Sequence, residues 1–503
     1  MRHIVLFSLS LLLFACNNEN STTSPAANNT GIPTNKNAFD VKPSNIKEKD
    51  YMAKAESPDI TIQVEGYTGG GTAKLIGIFT DQNYLADTAR ISPTGEIRFK
   101  RKEPYFPGML FAVLPNNENI QMLVDLDQTF TLKTKMGSLV ESMQVDGSED
   151  NKLLYQVMVW EESQRPALQQ TASKMKSAQP GSPEYQQAKA EQDKLTAERT
   201  AYLRDIFNKN PDLLYTKFKM AGQNPEIGEL NKPDGTRDTA NVVYWYRNYF
   251  WDGVDFSDER LLYTPVISNK LKRFINELTP QLPDSIVASS FKLVDKVVNQ
   301  PEYFKYFANW IVLNYDPKES TLMDPQAVWV NMIQRYFTYD KAFWADSVEV
   351  HGLQLRAYEM AASLVGRKGP DVNAMGTDGK MHSIYEMKDP YIVVYMWNPD
   401  CEHCAEQTPL LVNMYQNLKK QGVDVYGIAI NTEEDKYRNT VKKYNMPWVN
   451  VFDPTNKSIY AKYYLDNTPE VYVLDKDRNI IAKNLHVDQI QTILDKDMAK
   501  KKG

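Results

Sequence analysis

The spacing of apolar and polar positions changes character three times along the 503 residues. Between residues 58 and 148, short alternating or β-rich runs recur at 60–64, 73–79, 96–100, 109–114, 120–124, 129–135 and 138–145. Gly69-Gly70-Gly71, Pro93-Thr94-Gly95 and Pro115-Asn116-Asn117 punctuate them as turns. Strands so short and so closely spaced predict a small antiparallel sandwich or barrel. From 149 to 365 the period becomes helical. Leu153, Leu154, Val157, Met158 and Trp160 open that pattern, and 186–207 reads as a charged helix with Leu195, Tyr202, Leu203 and Ile206 as its apolar stripe. Further helical runs at 266–278, 327–337 and 353–365 are separated by Pro180-Gly181, Pro280 and Pro301, which predicts an all-α domain of about eight helices. From 366 to 503 strands and helices alternate, the pattern of an α/β layer.

Ahead of these three domains the chain has a different texture. Residues 1–15 carry a short basic start, an apolar run at 4–14 and a small residue before Cys16. That is the form of an export signal, and it is too short to span a bilayer. Residues 16–57 are rich in Asn, Ser, Thr and Pro and predict a disordered leash, because such a stretch buries too little apolar area to offset its ordering entropy. One aromatic cluster stands out in the helical region: Tyr244, Trp245, Tyr246, Tyr249, Phe250 and Trp251. Exposed, it would stack on sugars or a partner's side chains. With only Asn248 and Asp252 beside it to make polar contacts, core packing is the expected role.

Composition narrows the function. Lys and Arg total 58 against 64 Asp and Glu, a formal charge of −6, so no basic field exists to attract nucleic acid. The three cysteines are Cys16, Cys401 and Cys404, far too few for a disulfide-stapled scaffold. The last two form a Cys-x-x-Cys pair, Cys401-Glu402-His403-Cys404. The pair follows Tyr391-Ile392-Val393-Val394-Tyr395-Met396-Trp397, an apolar run with the length of a buried central strand, and the break Asn398-Pro399-Asp400. Leu410, Leu411, Met414, Tyr415 and Leu418 then continue at helical spacing. The pair therefore sits where a strand's carboxyl end passes into a helix N-terminus. There, unpaired N–H groups and the partial positive charge stabilise a thiolate. A protonated His403 would favour it further. In this chemistry Cys401 is the nucleophile that attacks a substrate disulfide, and Cys404 resolves the mixed disulfide.

Other chemistries fit the residues poorly. A zinc site needs two more ligands, and His382 and His486 lack ligand spacing. Asp475-x-Asp477-x-Asn479 imitates the start of a calcium loop, but Ile480 stands in place of its Gly and His486 in place of its closing Glu, so a β-turn is expected. A redox-active disulfide needs no other cofactor.

Several motifs also resemble known families. Leu13-Phe14-Ala15-Cys16 resembles a bacterial lipoprotein box, which implies a lipid on Cys16. Trp397 four residues before Cys401, the Cys pair, and Thr468-Pro469 before the run 471–474 resemble a thioredoxin fold, more narrowly the TlpA/ResA-like reductases. By that resemblance Pro469 is the cis-proline facing the disulfide, and Thr468 offers contacts beside Cys401. Glu402 matches the Cys-Glu-Pro-Cys form of the ResA type. His403 departs from it, and Tyr395 stands where thioredoxin has a buried acid. The Pro-x-x-x-Thr-x-x-Cys pattern of peroxiredoxins is absent, with Val394 and Asn398 at its first two places. The β and helical regions are similar to modules of unknown function that precede such domains in Bacteroidetes lipoproteins.

The resemblance implies a lipid-anchored envelope thiol–disulfide oxidoreductase facing the periplasm, on the outer membrane more than the inner. Its partners would be exported proteins and a membrane or envelope redox partner. The reducing direction is favoured over oxidation or isomerisation. The alternative is an envelope lipoprotein that binds a glycan or protein, with the redox domain auxiliary.

Overall fold

Alternating burial in the first third builds two four-stranded sheets face to face. The computed structural model describes residues 32–502 apart from Glu229, 456–462 and Asp466; the export segment 1–15, Cys16 and the leash as far as residue 31 lie outside the described residues. The strands are β1 (Asp59–Glu65), β2 (Thr72–Phe79), β3 (Gln82–Arg90), β4 (Glu96–Lys100), β5 (Gly108–Val113), β6 (Asn119–Val124), β7 (Thr129–Lys135) and β8 (Gln144–Asp146). One sheet has the order β4-β1-β7-β8 and the other β3-β2-β5-β6. Ile60, Ile62, Phe99, Leu110, Phe130 and Leu132 are among the side chains that fill the space between them.

Two departures from expectation have local causes. β3 is an edge strand, so its positions are half-buried at most and its sequence lacks an apolar alternation. Residues 138–143, expected within a strand, form a turn instead. There the Ser142 hydroxyl donates to the Ser138 carbonyl and accepts from the Lys135 N–H, and only Gln144–Asp146 pairs in the sheet.

The expected leash is corrected over its second half. Residues 32–57 lie along the helical domain and are tied to it at intervals. The Tyr249 hydroxyl donates to the Pro33 carbonyl, the Lys36 N–H to Glu226, the Ser44 N–H to Asp255, and the Glu48 N–H to Glu259. Phe39 meets Phe207 edge-on at 5.0 Å, and Tyr51, in the short helix α1 (Glu48–Met52), is buried. The cause is a few apolar residues set among the polar ones, which an average composition conceals.

The middle of the chain is helical. It runs through α2 (Glu149–Ser177), α3 (Pro183–Lys209), α4 (Leu214–Ala221), α5 (Thr239–Tyr249), α6 (Pro265–Lys272), α7 (Pro283–Val297), α8 (Pro301–Asn314), α9 (Pro325–Tyr336) and α10 (Ser347–Met360). Ser148 and Ser182 cap α2 and α3, and Pro at the first position starts α6 to α9. The aromatic cluster divides. Phe250 and Trp251 enter the helical core, while Tyr244 is 41% exposed and Trp245 stacks on Tyr249 at the surface. Core packing is thus the role of only part of it.

The C-terminal domain has a seven-stranded sheet of order β10-β9-β13-β12-β11-β14-β15. Its strands are β9 (Asn373–Gly376), β10 (Met381–Ser383), β11 (Tyr391–Trp397), β12 (Val423–Ala429), β13 (Val449–Phe452), β14 (Glu470–Leu474) and β15 (Ile480–Ala482). α11 (Glu402–Lys420) follows β11, and α12 (Glu434–Tyr444) joins β12 to β13. β11, β12 and β13 are parallel, β14 runs antiparallel to β11, and β15 runs antiparallel to β14.

A buried charge network joins the sandwich to the helices. Arg260, 3% exposed, donates to both oxygens of fully buried Asp258 and at 2.6 Å to Asp125, just past β6. Close by, Gly108 (φ +136°) lets β5 approach the Tyr263 backbone; a Cβ there would lie 2.2 Å from the Tyr263 carbonyl oxygen. Arg260→Met should cost about 3–5 kcal/mol of stability, because two buried carboxylates lose their counter-charge. Urea unfolding followed by tryptophan fluorescence measures this; a loss below about 1 kcal/mol would show that the guanidinium does not hold the modules together.

Candidate functional site: the Cys401–Cys404 pair

The site begins with a strand that cannot shift. All seven residues of β11 are buried, and the strand is hydrogen-bonded to β12 on one side and β14 on the other. Beyond Trp397, Asn398 organises the break. Its Oδ1 accepts the Asp400 N–H at 2.7 Å, and its Nδ2 donates at 3.0 Å to the Asn431 carbonyl past the end of β12. The chain then turns directly into α11, whose N-cap residue is Cys401.

The sulfur of Cys401 takes the place of a capping oxygen. Sγ accepts the Cys404 N–H at 3.2 Å, one of the donors that a helix start leaves unpaired. The thiol also donates to the Thr468 carbonyl at 3.1 Å. Thr468 and Pro469 are joined by a cis peptide bond, so the carbonyl facing the sulfur belongs to the cis-proline loop. Cys401 is partly exposed, whereas Cys404 is 2% exposed; both are free thiols. Burial pushes the Cys404 thiol up to about 12.

Not every expected contributor converges on the sulfur. Trp397 is buried under the pair and leans against Tyr437. Glu402 and His403 are exposed. The His403 ring lies 3.7 Å from Glu406, on the solvent side of the first turn, with its side chain 78% exposed. Among the described residues no contact joins it to Cys401. Spacing alone carried this signal: Cys404, Thr408, Leu411, Tyr415 and Leu418 face inward, which turns 403 and 406 outward.

A hydroxyl relay behind the pair has no signature in sequence. Thr408 donates its hydroxyl to the Cys404 carbonyl at 2.7 Å, and Tyr395 lies 2.8 Å from Thr408 Oγ1. Since the threonine proton is already committed, the tyrosine donates. Burial pushes the Tyr395 hydroxyl further above its ordinary value, so the relay stays neutral. Pro409 comes next in α11 and supplies no N–H to the ladder.

Residues 365–483 match the AhpC/TSA family. The thiol-disulfide oxidoreductase ResA of Bacillus cereus is 22% identical over 147 residues, 29% of this chain and 77% of that protein. The chloroplastic peroxiredoxin Q of Gentiana triflora is 30% identical over 93 residues, 18% of this chain and 42% of that protein. Among solved structures, the thioredoxin domain of a Bacteroides vulgatus thiol-disulfide oxidoreductase aligns at 23% identity and a TM-score of 0.25, over 26% of this chain and 96% of that one. A thioredoxin-like protein from Bacteroides caccae aligns at 16% identity and a TM-score of 0.44, over 53% and 97%. The C-terminal region is a thioredoxin-like oxidoreductase domain.

Within this redox domain the minor motifs are accounted for locally. Val394 is buried in β11 and Asn398 is committed to the loop, at the two places where a peroxiredoxin pattern has Pro and Thr. Asp475 accepts the N–H groups of Asp477 and Asn479, which makes the calcium-like stretch a turn. His382 pairs with Asp378 and His486 with Asp488. Among the described residues no three His, Cys, Asp or Glu side chains group as metal ligands, and no helix is long and apolar enough to cross a membrane.

A raised pKa keeps a thiol protonated until the pH approaches that value, so Cys404 gains reactivity only as the pH climbs toward 12. At pH 7, iodoacetamide should modify Cys401 in preference to Cys404 by more than about tenfold in the folded, reduced protein, and both after denaturation. Peptide mass spectrometry distinguishes them. Equal labelling of both sulfurs in the folded state would contradict their assigned order.

Proposed function

We propose that the protein exchanges disulfides with exported proteins in the bacterial envelope, held to the outer membrane through lipidated Cys16, and that it works in the reducing direction. One observation carries the exchange chemistry. A partly exposed thiol at a helix N-terminus faces a cis-proline loop, with a buried second thiol one turn behind it.

The reaction balances without a cofactor. The Cys401 thiolate attacks one sulfur of a substrate disulfide, forming a mixed disulfide and releasing the other substrate sulfur as thiolate. That thiolate is the base available to take the Cys404 proton. Cys404 then attacks the Cys401 sulfur, closing the internal disulfide and releasing the second substrate sulfur. Two electrons have passed from the pair to the substrate. A dithiol protein of the membrane or envelope must return them.

The rival reading is a binding lipoprotein with an auxiliary redox domain. It is favoured by the surface half of the aromatic cluster, where exposed Tyr244 meets half-buried Trp245 edge-on at 5.3 Å.

Equilibrating the pair with glutathione tests the direction. A potential near or below about −250 mV is expected and matches a reductant, whereas roughly −120 to −180 mV would assign an oxidant or isomerase. Cys404→Ser should trap mixed disulfides with envelope proteins on non-reducing gels, and Cys401→Ser should trap none. A double Cys→Ser variant that retains full cellular function would transfer the argument to the binding reading.

A further inference from the structure

The redox pair is not supported by its own domain alone. Between α8 and α9 the helical domain sends out a loop, and residues 320–323 of it reach the C-terminal domain. Asn484, just past β15, donates its side-chain amide to the Leu322 carbonyl at 2.9 Å and to the Ser320 carbonyl at 3.4 Å. Its backbone N–H donates at 3.0 Å to the carboxylate of Glu470, itself 7% exposed and next in sequence to cis-Pro469. Met323 packs on the same apolar cluster that contains Cys404 and against which Cys401 lies.

These contacts form a continuous path. It runs from the loop carbonyls through Asn484 and Glu470 to Pro469, and ends at the Thr468 carbonyl that accepts the Cys401 thiol. Asn484 has φ +53°, a left-handed conformation that Asn tolerates and most residues do not, so the position combines a special backbone with a two-carbonyl clamp.

We propose that Asn484 is a positioning residue through which the helical-domain loop 320–323 sets the place of the cis-proline loop against Cys401. The proposal rests on Cys401 as the attacking thiol. A thiol that donates to a fixed carbonyl must give up that hydrogen bond before its sulfur attacks. Releasing the clamp lets that carbonyl drift and weakens the restraint on the sulfur. The helical module thereby adjusts the reactivity of the pair without touching substrate.

Asn484→Gly removes the amide and keeps the left-handed backbone accessible. Asn484→Asp keeps the shape but sets a carboxylate against the two loop carbonyls, so the clamp is repelled as well as lost. Neither undocks the domains, because Lys483 still donates to Gln326 and the Ser363 carbonyl. In the full-length reduced protein both variants should raise the iodoacetamide rate of Cys401 at pH 7 by roughly two- to tenfold, about what one net hydrogen bond is worth. The equilibrium with glutathione should shift toward the disulfide by a similar factor, because the weakened hydrogen bond exists only in the reduced pair, with the thermal midpoint of Asn484→Gly nearly unchanged. Unchanged rate and equilibrium in the folded variants would overturn the proposal. So would a rise confined to Asn484→Gly, which would assign the effect to backbone loosening. If Gly prevents folding, the Asp variant decides. If the wild type fails to exchange with glutathione while the variants still alkylate faster, the exchange reading falls and the positioning role stands.

Discussion

A reactive sulfur must meet solvent and yet be held by parts that do not move, and β11 reconciles these demands. Its seven buried residues are paired on both edges, so its carboxyl end delivers the chain to a fixed point. The neighbours then supply the walls of the site by their directions. β12 is parallel to β11, so its end lies beside β11's end and brings the Asn431 carbonyl to Asn398. β14 is antiparallel, so its beginning lies there instead, with Glu470 opposite Met396. Thr468 and Pro469 immediately precede that beginning. The strand directions alone therefore place a cis-proline loop across from a helix N-cap.

The two sulfurs differ through burial and not through the residues between them. Cys401 caps the helix and reaches solvent; Cys404 faces inward, where burial opposes its charge. Behind them, Tyr395 and Thr408 replace a titrating acid with a neutral relay that ends on the Cys404 carbonyl. Glu470, the nearby buried carboxylate, lies on the opposite face of β14 from the cluster that holds Cys404, since Val471 and Val473 belong to that cluster and Glu470 alternates with them. Its Oε1 accepts the Asn484 N–H.

What could be read from the sequence is what local spacing determines. An unbroken apolar run, a Cys-x-x-Cys pair and a Thr-Pro before another apolar run specify strand, helix start and facing loop within short stretches. Features that depend on a distant partner were not legible. β3 is polar because an edge strand has little to bury, and 32–57 is ordered because its few apolar residues and backbone donors meet partners distant in sequence, on the helical domain and on the sandwich. The Asn484 clamp joins residues 162 and 164 positions apart. His403 is the intermediate case. Its neighbourhood with Cys401 is evident in sequence, but helix phase turns its side chain to solvent.

The boundary between helical and redox domains is built unlike a linker. Lys483 is fully buried there, with acceptors from Gln326 in α9 and the Ser363 carbonyl, and with its ammonium 4.8 Å from the centre of the Tyr472 ring. A buried ammonium stripped of such partners costs several kcal/mol in real proteins. Separating the domains also exposes apolar surface and frees the Asn484 amide, so the losses arrive together. Domains meant to swing independently meet through smaller, more solvated contacts. The helical module is thus held in register with the cis-proline loop, and anything that displaces residues 320–323 must act on the redox pair through a rigid path and not through a flexible joint.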